Sequence, residues 1–542
     1  MNRRILSLTI LLSLIFGACG SNTPATPANL FTVNIAYAAS ADAWIAPMIA
    51  QFNATKAMTA DNKQIAIKGT PLGAEDMVAA MVGPNPPYVM LIPEDKVWID
   101  VLAARRTAHG DPALNFGTCT PIATSPVVMV TWQSMARTLG WPDRDFTWKD
   151  ISELALSPSA WKGYDHPEWG TLTYGHAHPI LSNGGLAATL GEAYGAGPLT
   201  VNDINSDQTK SYVRVVERSV SRYNADSSSL IKTMADKGQT YLHVAVGYES
   251  DVVANHKGND PLVAIYPGET FAAQYTTCVV NTDPNATAFA TYLAGADAQK
   301  AAVSYGFRPI DPTTKLSAPF DGDHGVDPNA KYKVIPMPSA DVIRAVQDIW
   351  SQLKRPLNIA MIIDVSGSMR DDGKIEGVRT AAAAFVNRLG DDDQFALYTF
   401  SSNFSLVVKP GRVGVLRNDA VTAIQNLQPN GETFLYGTAL QVRQGFKASS
   451  QYINAIVLLT DGQDTTSNNA NIDLDKAVAG IKAAKGSVFF YTIGYGNDAD
   501  GDVLTQIANA GNGSYYHSDP NTINQVYLDI ASQFGGSRGL GR

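Results

Sequence analysis

Along most of the chain, short unbroken apolar runs alternate with stretches whose apolar residues recur every three or four positions. In the C-terminal third the runs are Ile359-Ala360-Met361-Ile362-Ile363, Phe395-Ala396-Leu397-Tyr398, Ile456-Val457-Leu458-Leu459 and Val488-Phe489-Phe490-Tyr491. Runs of that length and character suit strands covered on both faces. Helical periodicity fills the intervals at 375–389, 419–427, 438–446 and 474–484. The alternation predicts an α/β domain over 357–535 with a doubly wound, mainly parallel, Rossmann-like sheet. Such sheets carry their chemistry beyond the carboxyl ends of the strands.

The longer N-terminal region has a looser α/β rhythm. Strands are expected at 32–37, 64–69, 88–92, 127–131, 171–175, 244–248 and 263–266, and helices at 41–52 (with Ser40 as N-cap), 75–82, 184–194 and 211–223. About three hundred residues of this pattern imply two lobes. A Gly-, Asp- and Pro-rich loop at 322–336 follows. Next comes an amphipathic stretch, 340–353, whose Val342, Ile343, Val346, Ile349 and Trp350 share one face and predict a helix packing the two halves together.

Composition bounds the function. With 542 residues, 45% hydrophobic and 17% charged, the chain is globular and multi-domain, and its net charge of -9 argues against a nucleic-acid partner. The first residues form a targeting segment, with Arg3 and Arg4 ahead of an apolar run, 5–18, too short to span a bilayer. The run ends in Phe16-Gly17-Ala18-Cys19, which resembles the lipobox of bacterial lipoproteins, although Phe16 departs from the usual aliphatic residue. The resemblance implies a signal peptide at 1–18 and a lipidated Cys19, with 19–30 as a solvated tether. The protein would then be exported and lipid-anchored on the outer face of the bacterial cytoplasmic membrane.

The densest chemistry lies at the predicted strand ends. One strand runs into Asp364-Val365-Ser366-Gly367-Ser368, another into Thr460-Asp461-Gly462, and a third loop carries Gly431-Glu432-Thr433. Two carboxylates and three hydroxyls make an all-oxygen nest suited to Mg²⁺, or to Mn²⁺ or Ca²⁺, more than to Zn²⁺. No Lys or Arg is expected beside it, and Glu432 is expected to face solvent. These motifs, in this order, resemble the metal-ion-dependent adhesion site of von Willebrand factor A domains. The resemblance implies that Asp364, Ser366, Ser368, Thr433 and Asp461 hold the metal directly or through water. It also implies an open coordination position for a partner protein's carboxylate.

The N-terminal region, 31–335, resembles the bacterial extracellular solute-binding proteins, through Trp148-Lys149-Asp150-Ile151, Ser182-Asn183-Gly184-Gly185-Leu186, Ala264-Ile265-Tyr266-Pro267 and Tyr305-Gly306-Phe307-Arg308-Pro309. This implies a two-lobed, periplasmic-binding-protein-like module whose second lobe spans about 125–266, a connecting helix within 336–356 and a tail at 536–542. A cleft ligand is then expected at Ser40, Pro93, Glu94, Asp95, Ser182, Asn183 and Gly184, with Tyr248 and Glu249 beside them, because helix N-termini offer N–H groups to anions. Taken alone, Cys119 and Cys278 are either a disulfide or two buried thiols. The resemblance places them on neighbouring hinge segments and implies the disulfide. His176 and His178 have a metal-like spacing, but no Cys, Asp or third His completes a set, so a structural or cleft-lining role is expected.

The sequence thus predicts a non-enzymatic surface protein that grips a protein partner through a metal. The alternatives are a small-solute receptor serving a transporter or sensor, and an extracellular hydrolase. The hydrolase is the weakest, because no Ser/His/Asp order can be assembled from eight scattered histidines.

Overall fold

A computed structural model describes residues 30–157 and 160–535. The expected signal peptide, Cys19, the tether up to 29 and the tail at 536–542 lie outside the described residues. Among those described, no helix is long and apolar enough to cross a membrane.

The N-terminal half is built on one ten-stranded sheet shared by two lobes. Its first lobe centres on Leu30–Ala38, paired in parallel with Gln64–Leu72 on one side and Met90–Ile92 on the other. The strand expected at 127–131 is longer than its apolar run suggested. Thr120–Trp132 is one strand, antiparallel to Ala272–Val279 through its first half and to Val244–Tyr248 and Leu262–Ile265 through its second. The lobes are therefore joined through hydrogen-bonded backbone. Cys119 and Cys278 are disulfide-bonded beside this crossing, with Cα atoms 4.4 Å apart.

The C-terminal domain is a six-stranded sheet in the order Phe404–Arg412, Gln394–Phe400, Leu357–Asp364, Ile453–Thr460, Phe489–Tyr495, Tyr515–Ser518. All neighbouring pairs are parallel except the first, an antiparallel edge. Neither edge strand carries a long buried apolar run: Phe404–Arg412 leaves Leu406 and Val407 exposed. Leu357–Asp364 sits mid-sheet with its residues almost wholly buried, as a continuous apolar strand requires.

Between the halves runs the helix Ala340–Leu353, capped by nothing more than its Ser339 backbone turn. The face carrying Val342, Ile343, Val346, Ile349 and Trp350 is buried. Trp350 packs edge-on against His178 and Tyr223 of the second lobe, and Gln347 donates to the Pro179 carbonyl. The C-terminal domain presses on the same lobe directly. Arg222 lies over the Phe489 ring and donates to the Asn512 carbonyl, while Arg355 donates to carbonyls of both halves, at Val220 and Tyr452.

Candidate functional site

Asp364 is the last residue of the central strand, and Thr460 ends its parallel neighbour, so Asp364 and Asp461 emerge side by side. Both are fully buried. Asp364 Oδ1 accepts from the Ser366 N–H at 2.7 Å and Oδ2 accepts from the Thr460 hydroxyl. The Ser366 and Ser368 hydroxyls lie 3.1 Å apart, and Ser368 donates to Asp461 Oδ1 at 2.8 Å. Thr433 joins from the third loop: a methyl group built on Gly462 would lie 3.9 Å from both Ser368 Oγ and Thr433 Oγ1. These are ordinary contact distances, and they put both hydroxyls beside the Asp461 loop.

Backbone hydrogen bonds fasten the loops together. Gly367 N–H donates to Gly431 O at 2.9 Å, Asn430 N–H to Val365 O at 2.6 Å, and Thr465 N–H to Thr433 O at 2.9 Å. Ser366, Thr433 and Thr460 are buried, whereas Ser368 and Glu432 are exposed at the rim. The nest therefore has a dry floor and a solvent-facing mouth. Burial pushes the Asp364 carboxyl up to about 6, against hydrogen bonds from Thr460 and Ser366, with the neighbouring Asp461 adding to the rise.

One expectation needs correcting. The nest is not free of cations: Lys374, at the start of the next helix, donates to Asp461 Oδ2 at 2.7 Å and approaches Asp498 at 3.6 Å. It lies ten positions beyond Asp364, and a 3-10 turn with a left-handed Asp372-Gly373 corner folds it back over the motif. Two carboxylates against one ammonium still leave a negative surplus.

The residues expected in the cleft fall into three groups. Ser40, Glu94, Asn183 and Tyr248 come together across the lobes. Ser40 Oγ donates to Glu94 at 2.7 Å, the Asn183 N–H also donates to Glu94, and Asn183 Nδ2 donates to Tyr248 Oη at 2.9 Å. Trp98 Nε1 of the first lobe donates to Asn183 Oδ1 at 2.9 Å. Glu94 is buried there, and loss of water, reinforced by Asp226 and Asp251, pushes its carboxyl up to about 7. Pro93, Asp95, Ser182 and Gly184 serve the backbone. The Pro93 carbonyl accepts from Thr276, Asp95 from the Val97 N–H, and Ser182 from the Gly185 N–H, while a methyl at Gly184 would meet Ser227 Oγ at 2.8 Å. Glu249 is committed elsewhere, held through both oxygens by Arg308 and capped by Tyr266. Ser40 caps no helix; it sits inside a 3-10 turn, Ala39–Ala41, and turns its hydroxyl to Glu94 and to Tyr275 Oη at 3.0 Å.

His176 and His178 do not form a pair. His178 packs on Trp350, while His176 Nε2 meets Glu217 Oε1 at 3.2 Å and Glu192 Oε1 at 3.8 Å. The completing residues are glutamates on two helices, Asn183–Ala196 and Asp207–Ser219, and no local spacing announces them. Burial opposes a charge on the imidazole, but Glu217 overrides it and pushes His176 up to about 9. Glu192 is held well above the carboxyl range by burial and by the adjacent Glu217 carboxylate.

A family model described as bacterial extracellular solute-binding protein matches residues 33–308, half of the chain, and one described as von Willebrand factor type A domain matches residues 358–528. Among curated proteins, sll0103 of Synechocystis sp. is 32% identical over 163 residues, 29% of this chain and 37% of its own length. Inter-alpha-trypsin inhibitor heavy chain H4 of Bos taurus is 28% identical over 193 residues, covering 33% of this chain and 20% of its own. The chain thus spans well under half the length of these relatives. Among solved structures, the sulfate-binding protein SubI from Mycobacterium tuberculosis H37Rv is 19% identical, with 58% of this chain and 96% of that one covered at a TM-score of 0.38.

Proposed function

The chain belongs to the bacterial extracellular solute-binding protein family and carries a von Willebrand factor type A domain behind that module; from this premise we propose that it is an exported binding protein that grips a protein partner through a divalent ion. Asp364, Ser366, Ser368, Thr433 and Asp461 would hold the ion, with Mg²⁺ as first choice and Mn²⁺ or Ca²⁺ as substitutes. The observation that carries the reading is the convergence of three loops into one oxygen-lined nest with two buried carboxylates and an exposed mouth. The donor set fits a hard cation, because every donor is oxygen and the surplus charge is negative.

A bound ion would supply electrostatic attraction for a partner's carboxylate. The chain's own residues do the rest. Asp364 and Asp461 fix the charge at the floor, and Ser368 at the rim stands where an incoming acidic side chain would arrive. Lipid attachment at Cys19 would hold the molecule on the outer face of the cytoplasmic membrane, presenting this mouth outward. The test is a pull-down from envelope extracts with Mg²⁺ or with chelator, beside the Asp364→Ala chain. Capture that needs Mg²⁺ and Asp364 is expected; partners surviving both treatments would sink the reading.

A second reading, a small-solute receptor, draws on Ser40, Glu94, Asn183 and Tyr248 meeting between the lobes. Calorimetric screening of the Asp364→Ala full chain separates the two, since a tight small ligand would move the function to the cleft.

A further inference from the structure

The His176 cluster is separate from both sites just described. His176, Glu192 and Glu217 come from a strand and two helices of the second lobe, and all three are buried. Their nearest ligand atoms lie within 4.8 Å of one another. His176 Nδ1 stands 2.7 Å from the Ala177 carbonyl oxygen, which can only accept. Nδ1 therefore donates to that carbonyl, and Nε2 is the ring nitrogen turned toward Glu217 and Glu192. An electrophile must stand between these groups: protons on the imidazole and on Glu192 serve where no metal is bound, and a divalent cation can take their place.

We propose that this electrophile is a structural zinc ion, held by His176 Nε2, Glu192 and Glu217, with the Tyr174 phenol beside them as fourth donor. Four-coordinate zinc, with bonds of about 2.0–2.2 Å, sets its ligand atoms roughly 3.3–3.6 Å apart. The Nε2 separations of 3.2 Å from Glu217 and 3.8 Å from Glu192 bracket that spacing, and Tyr174 Oη stands 3.0 Å from Glu192 Oε1. Two carboxylates neutralise the ion's charge, so the filled site carries none into the core.

The surroundings are those of a metal site as well. The ligating histidine donates its other N–H to a carbonyl, an arrangement that fixes the ring and its tautomer. Glu217 is oriented by the Tyr223 hydroxyl, which donates to its second oxygen at 2.6 Å. Glu192 Oε2, buried, has no hydrogen-bond partner among the described residues. The imidazole nitrogen and low ligand number favour zinc over Mg²⁺, which prefers six oxygens and keeps its waters.

The experiment uses the Asp364→Ala full chain, so that metal at the oxygen-lined nest is not counted. The chain is dialysed against chelator in the folded state and its metal measured by mass spectrometry. About one zinc per chain is expected, and none in the Glu192→Gln/Glu217→Gln variant. The same chain is then unfolded in guanidinium with chelator, its disulfide intact, and refolded with zinc or with chelator; the zinc sample should unfold at the higher denaturant concentration. If that variant fails to fold, the refolding comparison still decides. Absence of stoichiometric zinc after refolding with the metal, or equal midpoints in the two samples, would overturn the proposal and leave a network of shared protons. Neither result bears on the nest at Asp364.

Discussion

Glu94→Gln should make the protein more stable above neutral pH, although it removes a charge from a hydrogen-bonded position. Glu94 is buried between the lobes, and loss of water lifts its carboxyl from an ordinary 4.5 to about 7. A folded-state value above the unfolded one means that the folded chain holds the proton more tightly. The corresponding stability is complete below pH 4.5 and disappears as pH rises through 7. The gap amounts to about 3 kcal/mol at pH 8.5. Glutamine keeps the shape and the acceptor oxygen that Ser40 and the Asn183 N–H use, without the charge. Urea unfolding of the full chain at pH 5 and pH 8.5 reads the effect. The variant should exceed the natural chain by no more than about 1 kcal/mol at pH 5 and by roughly 3 kcal/mol at pH 8.5. Asp95 and Asp251, each pushed up to about 6 by burial, act in the same direction in both proteins and cancel in the difference. Equal stability at pH 8.5 would refute the reasoning, because it would mean that the two hydrogen bonds offset the lost hydration completely.

Two further changes test other parts of the structure. Lys374→Met removes the one ammonium paired with Asp461, so calorimetric titration should show Mg²⁺ binding about tenfold or more tighter; unchanged or weaker binding would remove Lys374 from the electrostatics of the nest. Replacing Cys119 and Cys278 together by serine opens a loop of sequence separation 159, for which chain entropy sets a ceiling of about 5 kcal/mol. A loss of roughly 2–4 kcal/mol in the urea unfolding of the N-terminal module is expected, and an unchanged midpoint would show that the paired strands already hold the hinge.

What the sequence revealed follows from how local each signal is. The central strands of the C-terminal sheet were plain because burial on both faces leaves an unbroken apolar run, as in 359–363 and 456–459. The edge strand Phe404–Arg412 was not, because none of its residues is buried and its short apolar run, 406–408, ends at Lys409-Pro410-Gly411. The oxygen-lined nest was legible because Asp364, Ser366 and Ser368 sit within five positions and each remaining loop brings its own short motif. Lys374 was not, since a turn of irregular backbone separates it from those motifs. The His176 cluster shows the limit most clearly. One glutamate sits on a helix buried all round, Asn183–Ala196, and the other on the amphipathic Asp207–Ser219; both look like ordinary charged residues until the fold turns them onto one imidazole. The cleft failed differently: the residues were found, but the sequence held no sign that Glu94 would satisfy the N–H at Asn183 from within the chain.

The seam between the two halves bears on how such a chain can be altered. Tyr223, Trp350, Tyr491 and Phe534 are buried side by side, drawn from the second lobe, the connecting helix and the C-terminal domain. The Tyr223 N–H even donates to the carbonyl of Gln533, three hundred residues away along the chain. Although the two families match separate stretches, 33–308 and 358–528, exchanging the second domain would open this seam in the first. A substitution in this seam is therefore felt by the interiors of both modules at once.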